Sequence, residues 1–295
     1  MARSVPVAEL IRLFQAAKPV RAWSLIVTLY GDAIVPRGGS LWLGSLTQIM
    51  ELFGIDAGHV RTAMSRLTAE GWLERDRVGR NSYYRLSRRG ERDFLAATRR
   101  IYFTQARAFD GRLQLALLGP GVDDRSAVRP MLERSGFVAL TPTTYVSIID
   151  PPAEVEDLQG IFVLTTDADA AGSALAAAAW QLAPLAAAYR SFMAQFASLD
   201  EALSTETLSE PDALVARTLL IHQFRRVVLR DPDLPKALLP NDWPGSAART
   251  LAARLYRRVV PAAERFISQV GRNENGPLPS PEPGFAMRFR KTGAS

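Results

Sequence analysis

The residues best suited to chemistry are arginines concentrated between Ala57 and Arg92. Nine arginines there stand against four acidic residues, an excess of five positive charges in a chain whose formal net charge is +6. An arginine that neutralises a DNA phosphate releases condensed counterions, and its planar fork matches the O6 and N7 atoms of guanine. The cluster predicts contact with double-stranded nucleic acid. The alternative is a solvated, arginine-rich surface that reflects genome composition.

The arginines need an ordered element to hold them, and the surrounding pattern predicts a helix. Asp56 is suited to cap its start, because a short side-chain oxygen accepts hydrogen bonds from unpaired backbone N–H groups. The buried stripe is predicted from four apolar residues at helical spacing: Val60, Ala63, Met64 and Leu67. The opposite face, which is predicted to point outward, carries His59, Arg61, Thr62, Ser65 and Arg66.

A second helix and a hairpin flank this helix in the sequence. The run SLTQIMELFG predicts the preceding helix, which Gly54 ends. After Gly71, two short strands surround a tip at residues 78–81, and Ser87 is suited to cap a further helix. The order of helix, turn, arginine-bearing helix and two-stranded ribbon is typical of a winged helix-turn-helix.

Such a helix lies in the major groove, and the ribbon tip meets the backbone or the adjacent minor groove. The residues predicted to contact DNA are His59, Arg61, Thr62, Ser65, Arg66, Arg77, Arg80, Asn81 and Tyr83. Because Tyr83 and Tyr84 alternate across a strand, one is expected in the core and the other exposed. The alternatives are solvated Ser and Thr side chains and surface ion pairs such as Arg75 with Asp76.

The rest of the chain divides by pattern, and the fold class is predicted to be α+β. The segment after the winged helix-turn-helix predicts the order β-α-β-β-α-β, and the next predicts helices throughout. A final segment rich in Gly and Pro predicts a disordered tail. The expected domains are therefore residues 1–100, 101–167 and 168–270, followed by the tail at 271–295.

Several functional classes are disfavoured by composition. The absence of cysteine excludes disulfides, cysteine-ligated zinc and cysteine nucleophiles, and fits a cytoplasmic protein. The sequence has no nucleophile elbow, no Gly-rich phosphate loop and no histidine pair at metal-ligand spacing, so neither an enzyme nor a metal site is expected. The uncharged run at 170–189 is rich in Ala and Gly, which predicts a buried helix of a soluble protein rather than a membrane span.

Long blocks of the sequence resemble the PaaX family, repressors of phenylacetic-acid catabolic operons. The resemblance lies in GDAIVPRGGSLWLGSL, HVRTAMSRLTAEGWL, GRNSYYRLSRRG, RRIY and residues 217–256. It implies a dimeric repressor with a winged helix-turn-helix, a middle ferredoxin-like domain similar to Cas2 and a helical C-terminal domain. It also implies operator DNA as partner and release by an aryl-CoA thioester, phenylacetyl-CoA, with no cofactor.

An aryl-CoA effector combines phosphates with an apolar acyl group, so its site needs arginines near aromatic side chains. The residues predicted for that role are Tyr189, His222, Arg225, Arg226 and Trp243. The alternatives are a structural role for His222, an ion pair between Arg225 and Asp231 or Asp233, and a packing role for Trp243.

Two other functions remain open at this point. One is a DNA-binding protein without a small-molecule effector. The other, disfavoured, is a Cas2-like metal-dependent nuclease, for which Asp110, Asp123 and Asp124 do not form a convincing cluster.

Overall fold

The computed structural model describes residues 3–17, 22–103, 109–122 and 124–290, and combines helices with small antiparallel sheets. The last five residues of the predicted tail, 291–295, lie outside the described part. In chain order the elements are α1 (Val5–Ala16), α2 (Ala22–Leu29), β1 (Leu41–Trp42), α3 (Leu43–Glu51), α4 (Ala57–Ala69), β2 (Leu73–Val78), β3 (Asn81–Leu86), α5 (Arg88–Tyr102), β4 (Arg112–Leu118), α6 (Arg125–Arg134), β5 (Val138–Thr141), β6 (Thr144–Ser147), α7 (Ala153–Glu156), β7 (Ile161–Asp167), α8 (Ala170–Ala179), α9 (Leu182–Thr205), α10 (Glu210–Val228), α11 (Gly245–Val270), β8 (Arg272–Asn273) and β9 (Gly276–Pro277).

The chain forms two compact units whose limits differ from the predicted domains. The first comprises Met1–Thr104, Tyr189–Leu229 and Ser246–Ser295, and the second comprises Gln105–Ala188 and Arg230–Gly245. The segment predicted as a separate helical domain is therefore divided between them. The reason is that α10 is buried along most of its length and packs against α1 and α2, far away in sequence. Local patterns do not reveal which distant element covers an apolar helix.

In the first unit, α4 has the predicted cap and the predicted buried stripe. The side chain of Asp56 accepts a hydrogen bond from the backbone N–H of His59. The four residues of the stripe, Val60, Ala63, Met64 and Leu67, are all buried. Ser87 likewise caps α5 by accepting from the backbone N–H of Gly90. These local predictions are confirmed because a cap and a helical stripe are set by neighbours in sequence.

The three strands of the N-terminal segment, one before α4 and two after it, form a sheet in the order β1-β3-β2. β2 and β3 form the predicted hairpin, in which Gly79 takes a positive φ of 60° at the tip. The prediction that one of Tyr83 and Tyr84 is exposed is wrong, since they are only 9% and 7% exposed. The physical reason is that β3 is the middle strand, so Tyr83 lies in register between Trp42 of β1 and Asp76 of β2.

The second unit contains an antiparallel sheet in the strand order β5-β6-β4-β7. Its elements follow one another as β4, α6, β5, β6, α7 and β7, which is the predicted sequence of strands and helices. One core cluster joins Leu113 and Val146 of the sheet to α8, and another joins Ala116 and Tyr145 to Leu132 of α6. The sheet is therefore packed on two separate apolar clusters.

A buried ionic network joins distant parts of the first unit. Asp32, in the π-helical turn Tyr30–Ile34, is 2% exposed and accepts a 2.6 Å hydrogen bond from Nε of Arg217. Arg217 is fully buried on α10 and also pairs with Glu264 of α11. The Glu264 carboxylate accepts a second bond, at 2.5 Å, from Nη2 of buried Arg37. This network fixes α10 and α11 to the segment that leads into the sheet.

The tail predicted to be disordered is ordered from residue 271 to residue 290, where β8 pairs with β9 and Leu278 and Phe289 are buried. Arg288 donates to the backbone oxygen of Asp32 at 2.6 Å and to its Oδ1 at 3.1 Å. The composition of the tail was misleading because a few anchoring side chains bury enough surface to offset the entropy of ordering a polar segment.

Within the described ranges, no helix taken singly has the length and apolar composition needed to cross a bilayer. α8 and α9 meet those criteria only when taken together, across a break at which Gln181 has a positive φ of 49°. The predicted single helix at 170–189 is thus two helices.

Candidate nucleic-acid interface

The polar face of α4 is a continuous exposed surface opposite the buried stripe. Its five predicted members, His59, Arg61, Thr62, Ser65 and Arg66, are all exposed. The outward direction of this face is confirmed. Because α4 is anchored on its apolar side by α2 and α3, the face is presented on a rigid element.

Some side chains of this face form hydrogen bonds within the protein, and others do not. Nδ1 of His59 lies 2.8 Å from Oδ2 of Asp56, and the hydroxyl of Thr62 donates to the backbone oxygen of Gly58 at 3.1 Å. The pKa of the Asp56 carboxyl is lowered, chiefly by the hydrogen bond from the backbone N–H of His59 and secondly by the hydrogen bond with the His59 ring. Among the described residues, Arg61 has no ion-pair partner and extends from the helix.

Arg66 lies at the edge of an open groove between α2 and α4. Its Nε donates to Oε1 of Glu70 at 2.6 Å, and its Cζ lies 5.0 Å from the centre of the Trp23 ring. The groove has a volume of about 540 Å³ and is also lined by His59 and Thr62. Trp23 was missed by the sequence analysis, although a tryptophan at the start of an apolar helix is a signal for a side chain at its polar edge.

The hairpin tip adds a second basic surface. Arg77, Arg80 and Asn81 are exposed, and no described residue forms an ion pair with either arginine. Two neighbouring arginines are engaged within the sheet. Arg75 donates to the hydroxyl of Ser82 at 2.8 Å, and Arg85 lies 3.2 Å from Asp76. The tip arginines are therefore the ones left available to an external anion.

Tyr83, the remaining predicted DNA contact, is buried in the sheet as described above. Its buried ring packs within the hairpin and is not exposed to a ligand.

The predicted effector residues are divided between the two compact units. Tyr189, His222, Arg225 and Arg226 belong to the first unit, and Trp243 belongs to the second. Tyr189 is buried and Arg226 is exposed. Trp243 is half-buried against the apolar cluster around Leu113, as its packing alternative predicted.

His222 and Arg225 join α10 to α2. Nδ1 of His222 lies 3.0 Å from the Thr28 hydroxyl, and its ring packs edge-on against Phe14. Nη2 of Arg225 donates to the backbone oxygen of Ser24 at 2.9 Å and to its hydroxyl at 2.7 Å. Arg225 thus bonds to Ser24 of α2, where the alternative had paired it with Asp231 or Asp233. Both residues therefore hold α10 against α2, as the structural alternative for His222 predicted, and their role in effector binding stays a prediction.

The buried position of His222 makes stability depend on pH. Burial, followed by Arg225 and Arg226, lowers the pKa of His222 to about 3, whereas the ordinary value is 6.5. Below pH 6.5 the unfolded chain gains a proton that the folded chain excludes, so stability is complete above 6.5 and falls as the pH decreases. At pH 5 we expect a loss of roughly 2 kcal/mol relative to pH 7.5.

Urea unfolding between pH 7.5 and 5 measures this loss. His222→Gln should have a flatter profile than wild type, because it removes the buried group that excludes the proton. Identical slopes in wild type and His222→Gln would contradict the assignment.

The described residues contain no group of three His, Cys, Asp or Glu side chains placed to hold a metal ion. Asp110 accepts from the backbone N–H of Arg112, and Asp124 caps α6 by accepting from Ser126 and Ala127. Asp123 lies outside the described residues.

Comparison with known proteins gives matches along most of the chain. Residues 21–90 match the family described as PaaX-like protein, and residues 180–269 match the PaaX-like protein C-terminal domain. The Transcriptional repressor PaaX of Escherichia coli (strain K12) is 38% identical over 292 residues, covering 92% of this chain and 91% of that protein. The solved structure of the uncharacterized protein Rv0674 from Mycobacterium tuberculosis is 26% identical, covers 74% of this chain and 89% of that one, and has a TM-score of 0.44.

Proposed function

This chain belongs to the PaaX family of transcriptional repressors, and from that premise we propose that it represses an operon for phenylacetate catabolism by binding double-stranded operator DNA. The family is one of regulators rather than enzymes. The observation that carries the proposal is the exposed basic face of α4 beside the basic hairpin tip. In this proposal α4 enters the major groove, with Arg77, Arg80 and Asn81 on the flanking backbone.

The finer architecture belongs to the same proposal. The order α3, turn, α4, β2, β3 supports a winged helix-turn-helix. The order β-α-β-β-α-β with the two inner strands β6 and β4 supports a ferredoxin-like, Cas2-like middle domain. The function as repressor places the chain in the cytoplasm with the DNA.

The proposed repressor acts as a homodimer. Support comes from β7, an edge strand of its sheet, where Phe162 and Leu164 are 60% and 51% exposed. Apolar side chains grouped on an exposed edge are typical of a protein interface. A dimer requires an operator with two inverted half-sites about one helical turn, or a multiple of it, apart. A footprint over a single half-site by a protein that sediments as a monomer would count against this.

Release from the operator is proposed to follow binding of an aryl-CoA thioester such as phenylacetyl-CoA. The test is gel retardation of the DNA upstream of the protein's own gene, with and without phenylacetyl-CoA. A scrambled duplex of equal composition controls for sequence preference, and free CoA controls for the acyl group. Retardation that no aryl-CoA changes would leave a DNA-binding protein without an effector, and equal retardation of both duplexes would contradict the operator itself.

Arg61 offers a direct test of the α4 face. Arg61→Ala removes an exposed side chain that no described residue pairs with, so the fold should be unaffected while operator affinity falls by about 1–3 kcal/mol. Fluorescence anisotropy with a labelled operator measures the change. Arg12→Ala is the control, since Arg12 is exposed on α1 rather than on α4 and pairs with Glu9 of its own helix. Wild-type affinity in Arg61→Ala would show that another face binds DNA.

A further inference from the structure

Arg66 differs from the other exposed arginines of α4 and the hairpin tip in being held on two sides. Its Nε donates to Oε1 of Glu70, one turn later on the same helix, at 2.6 Å. Half-buried Trp23 of α2 places its ring under the guanidinium, 5.0 Å from Cζ. A hydrogen bond at Nε and an indole ring near Cζ together restrict where the guanidinium can lie.

These two contacts leave the outer edge of the guanidinium available. The bond to Glu70 uses Nε, and no described residue hydrogen-bonds to Nη1 or Nη2. The cation–π contact with Trp23 uses no hydrogen-bond donor of Arg66. The two terminal nitrogens are thus presented side by side, as a bidentate contact to N7 and O6 of guanine requires.

Stability alone is a weak explanation for this arrangement. The Arg66 and Glu70 side chains are 55% and 41% exposed, and an exposed pair at this spacing contributes less than about 1 kcal/mol. Glu70 also places a negative charge next to a surface proposed to approach phosphates, which lowers general affinity for DNA. A carboxylate in this position is better explained by orienting its arginine than by attracting DNA.

We propose that Trp23 and Glu70 are positioning residues that orient Arg66 to read one guanine in each operator half-site. The proposal rests on the proposed function, since it assigns the base read by a face already proposed to bind DNA. Arg66 supplies the contact, and the other two residues act through it.

The experiment is selection of binding sequences from a library of randomised DNA duplexes, carried out in parallel with wild type and variants. Wild type should enrich a motif with a guanine that Arg66→Ala no longer prefers, a loss of about 5- to 150-fold at that position. Trp23→Leu and Glu70→Ala should weaken preference at the same position by about 2- to 5-fold, leaving the other positions unchanged. In Glu70→Gln the amide oxygen still accepts from Nε, so the preference should be retained.

Glu133→Ala is the matched control. Arg129 and Glu133 of α6 form a pair with the same spacing and the same Nε contact, at 2.8 Å, in the second unit. This variant should select the wild-type motif. Should Trp23→Leu fail to fold, Glu70→Ala carries the test, since it changes an exposed side chain.

The possible results distinguish the positioning role, the base that Arg66 contacts and DNA binding itself. A motif unchanged in both Trp23→Leu and Glu70→Ala, or weakened evenly at every position, overturns the positioning role while leaving DNA binding intact. Loss of preference at a different position in Arg66→Ala overturns the assignment of the base. No enrichment by wild type overturns the proposed function, and the positioning role with it.

Discussion

Asp32→Asn is expected to lower the free energy of unfolding of the first unit by about 3–5 kcal/mol, because it leaves buried arginine charge without compensation. Asp32 is the shared acceptor of Arg217 and Arg288, which are 0% and 7% exposed. Its Oδ1 also accepts from the hydroxyls of Tyr102 and Tyr256, at 2.6 and 2.7 Å. The asparagine has nearly the same shape but only one acceptor oxygen, so the measured loss reports the negative charge together with one of the hydrogen bonds that the carboxylate accepts.

Urea unfolding at neutral pH measures the effect, and Asp200→Asn is the control. Asp200 pairs with Arg254 at 2.5 Å, but that arginine is 47% exposed, so the change should cost at most about 1 kcal/mol. A loss in Asp32→Asn no larger than in Asp200→Asn would show that the network contributes no net stabilisation. Operator affinity of the folded Asp32→Asn protein should remain near wild type, since α4 is unchanged.

The same network makes the stability of the fold depend on pH in the acid range. Burial alone would raise the pKa of Asp32, but Arg217, Arg288 and the two tyrosine hydroxyls together outweigh burial and hold the pKa below its ordinary value of 3.8. A lowered carboxyl pKa stabilises the fold above the unfolded value, and that stabilisation is lost as the pH falls below about 3.8 through the folded pKa. It therefore acts at lower pH than the loss assigned to His222.

The parts of the interface that the sequence predicts are those that local rules determine. The cap at Asp56, the stripe ending at Leu67 and the cap at Ser87 each depend on residues within a few positions of one another. Tyr83 was misassigned because burial of a strand face depends on β1, a strand of only two residues that no alternating pattern reveals.

The ionic network could not be predicted for a different reason. Asp32 and Arg217 are 185 positions apart, and Arg288 is 256 positions from Asp32. A single aspartate and two arginines in an arginine-rich chain carry no local sign of burial. The contact between Arg66 and Trp23 also depends on how two helices pack, which periodicity alone does not give.

Removal of the tail is expected to have the second large effect on stability, because several of its side chains are buried. Ending the chain after Pro277 removes Leu278, Arg288 and Phe289, which are all buried. It also removes the Pro279 oxygen, which accepts from Nη1 of Arg37 at 2.7 Å. Loss of one buried aromatic side chain costs about 3–5 kcal/mol, so we expect the truncation to cost at least about 3 kcal/mol.

Met287→Ala is the control, because it changes an exposed side chain of the same segment rather than a buried one. Met287 precedes Arg288 directly but is 48% exposed, so its truncation should change stability by less than about 0.5 kcal/mol. Phe289→Ala should by itself cost about 3–5 kcal/mol, since its ring packs against Tyr102, Phe224 and Tyr256. Thermal and urea unfolding of the three variants measure this. If the shortened chain were as stable as wild type, the tail would lie on the unit without stabilising it, and its Gly- and Pro-rich composition would have predicted its energetics correctly.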